Sequence, residues 1–105
     1  MSIMDAFEAL ADPTRRAILE LLSKRGELPA GRIAAQFDIS APAVSQHLKA
    51  LREAGLVLVE RSGQQRIYRV NVAAMREVET WAVSLRQQWE RRLDALERFL
   101  KSDQA

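Results

Sequence analysis

Cysteine is absent and histidine occurs once in the 105 residues. Disulfides and thiolate metal sites are thereby excluded, and a lone imidazole cannot build a metal centre by itself. Glycine is scarce, four residues with no phosphate-cradling loop among them, and no nucleophile–base pair or paired carboxylate stands out, so the chain lacks the usual starting points of an enzyme. Charges interrupt every window long enough to cross a bilayer. The opening MSIMDAFEALADP carries Asp5 and Glu8 where an export signal needs basic residues and then an apolar run. These absences predict a cytoplasmic protein that is not an enzyme, with no cofactor, no metal and no membrane partner.

What is present suits one small core. Hydrophobic residues make up 48% of the chain, and its length favours a single domain over residues 1–105. A first helix is predicted from about Ser2 to Ala11, with Ile3, Phe7 and Leu10 at helical spacing. Asp12-Pro13 then starts a second, since aspartate accepts free backbone N–H groups at a helix start and proline fits the first turn. Its apolar residues are Ile18, Leu19, Leu21 and Leu22, and Arg25-Gly26 closes it. Pro29 is expected to open a short third helix bearing Ile33 and Phe37, and after the turn Asp38-Ile39-Ser40 a fourth runs to Ala54. Two runs, Val57 to Glu60 and Arg66 to Val70, flank Ser62-Gly63-Gln64-Gln65 and predict a β-hairpin. From about Val72 to Lys101 apolar residues recur at intervals of three and four, a long amphipathic helix of roughly 40 Å.

The expected fold is therefore mainly α with a β-hairpin wing. Its parts are a helix-turn-helix at about 29–54, with a three- or four-residue turn, a wing at about 56–71 and a terminal helix at about 72–101. In a winged helix-turn-helix the second helix of the pair lies in the major groove. With Val44, Leu48 and Leu51 turned inward at 100° per residue, the opposite face presents Pro42, Ser45, Gln46, Lys49, Arg52 and Glu53. Gln46 can pair bidentately with adenine, Ser45 can bond a base edge or phosphate, and Lys49 can reach guanine or the backbone. Ser40, Ala41 and Pro42 at the helix start join the expected DNA-binding set, the small Ala41 and Ala43 allowing close approach. Otherwise this is an ordinary solvated helix face, which leaves the flanking turn and hairpin without a role.

On the wing, Arg66 is the leading candidate for a phosphate or minor-groove contact. Arg69 either contacts DNA or pairs with Glu60 across the strands. Between residues 40 and 70, five bases oppose two acids, a local charge of +3. Arg15 and Arg16 either clamp phosphate from the side or form an ordinary surface or intramolecular ion pair. His47, beside the Val44/Leu48 stripe, reads as a packed or hydrogen-bonded residue.

The runs ALADPTRRAILELL, AVSQHLKALREAGLV and RSGQQRIYRV, in this order, resemble the ArsR family of bacterial repressors. The resemblance covers almost the whole chain from Phe7 to Leu100. It implies a homodimer with terminal helices at the subunit contact, an inverted-repeat operator, often at its own promoter, and release of DNA when an inducer binds. Metal-sensing members carry thiolates on the segment matching Glu27 to Arg32, where this chain has Pro29 and Gly31, or paired histidines on the terminal helix, which here has none. The resemblance thus points to a metal-blind member.

Exposed on a lone small protein, the apolar stripe of the terminal helix would be costly. Phe7 of the first helix and Met75, Val78, Trp81, Leu85, Trp89, Leu93 and Leu96 are the expected dimer contact. A hydrophobic inducer held between the tryptophans is the alternative use of the same residues, and the sequence names no such molecule. A winged-helix module that binds protein rather than DNA is a further alternative; weak, sequence-insensitive DNA affinity would mark it. Six bases against six acids from Val72 onward give the terminal helix no polybasic membrane anchor.

Overall fold

The computed structural model describes residues 2–102. The chain forms α1 (Ile3–Leu10), α2 (Pro13–Arg25), β1 (Glu27–Pro29), α3 (Ala30–Ala34), α4 (Ala41–Glu53), β2 (Val57–Ser62), β3 (Gln65–Val70) and α5 (Val72–Ser102). The mainly helical fold with a β-hairpin wing and a long last helix is as expected.

The helix starts are set by the residues that the sequence offers as caps. Ser2 accepts the N–H of Met4, Asp12 those of Thr14 and Arg15, and Ser40 that of Ala43. Each bond satisfies a donor that the first helical turn leaves without an internal partner. Gly26 closes α2 at a φ of 89°. At the end of α4, Gly55 takes a φ of 78° while its N–H reaches Arg52 O and the N–H of Leu56 reaches Leu51 O, each at 3.0 Å. This is the Schellman arrangement, which stops the helix and satisfies its last carbonyls. It also delivers Leu56, fully buried, into the core at the head of the wing.

The strands form one antiparallel sheet in the order β1-β3-β2. The β2–β3 connection is the two residues Gly63 and Gln64, with Gly63 at a φ of 62° and no non-glycine residue at positive φ among the described residues. A positive φ at the first central position alone is the type II′ pattern, whose twist suits a tight hairpin. β1 was not anticipated: Leu28 pairs with Tyr68 and Pro29 with Ile67, so the hairpin has a third strand. Pro29 accordingly ends β1 and stands before α3, rather than opening the helix. α3 itself stops at Ala34, and i→i+3 bonds from Gln36 and Phe37 carry the chain onward. Phe37 thus lies in the connection, and the turn between the two helices is longer than the expected three or four residues, because helical bonding decays through these tighter turns before Ser40 restarts it.

Two compact units emerge, one running to Met75 and one beginning at Arg76. The first holds the core: Ile18, Leu22, Ile33, Val44, Leu48, Leu51, Leu56 and Val57 are each at most 2% exposed. Burying a side chain of this size contributes about 1.5–3 kcal/mol. Asn71 ties the wing to the preceding helix end, its Nδ2 donating to Gly55 O at 2.9 Å and its Oδ1 accepting from Ala74 N. The second unit consists of the rest of α5, on which Trp81, Leu85, Trp89, Leu93 and Leu96 are 43–60% exposed. Among the described residues, no helix is long and apolar enough to cross a membrane.

Candidate nucleic-acid interface

α4 separates its two faces cleanly. Val44, Leu48 and Leu51 are buried, while Ala41, Pro42, Ser45, Gln46, Lys49, Arg52 and Glu53 are exposed, as is the capping Ser40. The outward residues can donate and accept hydrogen bonds without unsettling the packing behind them. Lys49 and Arg52 have no carboxylate partner among the described residues. Their charge is therefore available to an external anion. His47, between the two faces, is half-buried, and its Nδ1 lies 3.9 Å from Asp12 Oδ1. It links α4 to the start of α2 rather than joining the outward set.

The wing divides its arginines between two surfaces. Residues alternate sides along a strand, so Arg66, Tyr68 and Val70 share one face of β3, and Gln65, Ile67 and Arg69 share the other. Arg69 lies 3.4 Å from Glu60 Oε2, so the cross-strand pair left open by the sequence forms. The two charges are respectively 48% and 70% exposed. Arg66 instead stands directly opposite Arg61 in the β2–β3 register. Like charges directly opposite destabilise a strand pair, and neither guanidinium has a compensating partner among the described residues. The hairpin tip therefore concentrates positive charge that its own acids leave uncompensated.

Arg15 and Arg16 have a different use. Arg15 donates from Nε to Ala9 O at 2.7 Å and from a terminal nitrogen to Glu8 O at 3.0 Å, and Arg16 donates to Leu10 O at 2.7 Å. These carbonyls belong to the last turn of α1, which has no basic residue of its own. Two cations satisfying the negative end of a helix are a structural device; among the described residues neither arginine forms the expected ion pair, because backbone carbonyls take its donors instead. Sequence spacing could not reveal it, because the arginines and carbonyls meet only after α1 and α2 fold back on one another.

Among the described residues, no group of three histidine, cysteine, aspartate or glutamate side chains could hold a metal ion. Asp12 has its carboxyl held below the usual range, first by the Arg15 N–H. Desolvation opposes the shift, and the Thr14 N–H and the charges of His47 and Arg15 add to it. This carboxylate is a helix cap.

The sheet-bearing helix-turn-helix of the first unit agrees with what the chain is similar to. Residues 10–60 match the family described as "Helix-turn-helix domain". Over 80 residues the chain is 40% identical to the "Transcriptional repressor SdpR" of Bacillus subtilis, an alignment covering 76% of this chain and 88% of that protein. Its structure is similar to that of an "ArsR-like Transcriptional Regulator from Rhodococcus sp. RHA1", at 31% identity and a TM-score of 0.81, covering 91% of this chain and 90% of the other. It is also similar to the homodimeric winged helix-turn-helix DNA-binding domain of a possible ArsR-family regulator from Mycobacterium bovis, at 29% identity and a TM-score of 0.66, covering 81% and 79%. The chain belongs to the ArsR family of winged helix-turn-helix, DNA-binding transcription regulators.

Proposed function

We propose that the protein is a homodimeric repressor that binds an inverted-repeat operator, its own promoter included, and acts by excluding polymerase from an overlapping promoter. The observation that carries this reading is the division of α4 into a buried apolar face and an exposed face bearing Ser45, Gln46 and Lys49. Set into the major groove, that face offers Gln46 to adenine, Lys49 to guanine or phosphate, and Ser45 to either, with Ser40, Ala41 and Pro42 at the groove entrance and Arg52 toward the backbone. Arg66 on the wing contacts phosphate or the minor groove. Arg69 serves in the same way when it exchanges Glu60 for a phosphate.

A two-fold dimer sets two such helices about 34 Å apart, one helical turn of DNA. The homodimeric M. bovis domain supports this arrangement. So does the exposed apolar face of α5, an interface candidate whose burial on a second copy removes it from water. Phe7, Met75, Val78, Trp81, Leu85, Trp89, Leu93 and Leu96 make up the proposed contact. Occupying chromosomal DNA puts the protein in the cytoplasm, and excluding polymerase needs no enzymatic step.

The test is footprinting on DNA immediately upstream of the protein's own reading frame. Two protected half-sites one helical turn apart are expected. Uniform, sequence-insensitive protection would instead favour a protein-binding module.

A further inference from the structure

The strand that sequence periodicity does not show, β1, has a functional consequence. Its pairing with β3 places Pro29 opposite Ile67, so the first turn of α3 comes beside the wing tip. Between them lies a groove lined by Gly31, Arg32, Gln64, Gln65 and Arg66 together with Pro29 and Ala30. Two guanidinium groups and two side-chain amides line it, and no carboxylate does. Arg32 and Arg66 are both exposed, and neither forms an ion pair among the described residues. Arg66 also faces Arg61 across the hairpin, an arrangement that disfavours the strand pair unless an anion is at hand. A Cβ added at Gly31 meets nothing within 4 Å, so the groove is open where an extended polyanion would enter.

We propose that Arg32 and Arg66 together clamp one stretch of DNA sugar–phosphate backbone in this groove, fixing how the wing and α3 sit beside the major groove that α4 occupies. The proposal rests on the assignment of α4 as the reading helix. In that arrangement the first helix of the pair crosses the backbone, which brings α3 to the strand flanking the groove. Arg32 and Arg66 present planar donor forks suited to phosphate oxygens, with Gln64 and Gln65 as neutral donors beside them. Such contacts carry no base information; they set register and orientation.

The experiment is a titration of a mixed-sequence duplex three helical turns long, at several salt concentrations, with wild type, Arg32→Gln, Arg66→Gln, Gly31→Asp and Gln46→Ala. Each arginine replacement is expected to lower the slope of log affinity against log salt by about one, equivalent to about tenfold in affinity near 0.1 M salt. Base preference, read by selection from a randomised duplex pool, stays unchanged in both. Gly31→Asp separates the clamp from a purely structural role. Aspartate in the first turn of a helix is favourable, and replacing a helical glycine is as well, so the thermal midpoint should hold or rise. Its carboxylate in the groove should nevertheless weaken binding to every sequence. If Arg32→Gln and Gly31→Asp bind with wild-type affinity and slope while Arg66→Gln and Gln46→Ala alter binding, the clamp is wrong and the α4 assignment stands. If none of the four changes binding, both fall together.

Discussion

His47 Nδ1 lies 3.9 Å from Asp12 Oδ1, the same oxygen that accepts the backbone N–H groups of Thr14 and Arg15. One carboxylate oxygen thus caps α2 and sits against α4. Because the native carboxyl is held below the ordinary aspartate range, it contributes stability that is present above the unfolded value, about pH 4, and lost as pH falls through the lower native one. Asp12→Asn keeps an N-cap acceptor and removes the titration. It should stay near the wild-type thermal midpoint at neutral pH and show a weaker acid-induced decline, whereas Asp12→Ala should melt several degrees lower even at neutral pH. Thermal unfolding followed by circular dichroism between pH 3 and 7 checks both.

Arg15→Ala removes two hydrogen bonds to the last turn of α1. A loss of about 1–2 kcal/mol is expected, measured by urea denaturation. The salt slope of DNA binding should not move, since these donors are occupied within the protein. A slope lowered by about one would return Arg15 to the phosphate contacts.

Leu48, 1% exposed, is the central residue of the inward stripe of α4. Leu48→Ala should cost about 2–5 kcal/mol through lost burial and a residual cavity. Urea unfolding should show a lower midpoint with little change in slope. A loss under 1 kcal/mol would mean that α4 is held by other contacts.

Trp89 and Leu93, 60% and 47% exposed on α5, should be buried by a second copy. Trp89→Glu combined with Leu93→Glu should sediment as a monomer and bind operator DNA far more weakly, since two half-sites are no longer linked. Helix content should be nearly unchanged at concentrations where the wild type is dimeric. A persistent dimer would place the interface elsewhere.

The features legible in the sequence are those that a local rule fixes. The period of Val44, Leu48 and Leu51 gives the inward face of α4, and Ser40 and Gly55 mark its ends, so the outward residues follow by rotation. Asp12-Pro13 announces α2 in the same way. β1 was not legible, because three residues with one apolar side chain, Leu28, and a proline carry no alternation; its existence depends on β3 offering a free edge. The groove between Arg32 and Arg66 follows from that pairing and was hidden with it. Arg15 and Arg16 were ambiguous for a related reason, since their acceptors lie on a different helix. Phe37 kept its helical spacing from Ile33, yet the helix between them gave way to tighter turns.

The most direct test of the central claim, that the outward face of α4 reads bases, is the base preference of Gln46→Ala. It is determined by selection from a randomised duplex pool at a fixed salt concentration, alongside the wild type. Preference relaxed at one position in each half-site, with the salt slope unchanged, is the expected result, and about 1–3 kcal/mol of discrimination should disappear there. A wild-type preference at every position, retained when Ser45 and Lys49 are also replaced by alanine, would contradict it.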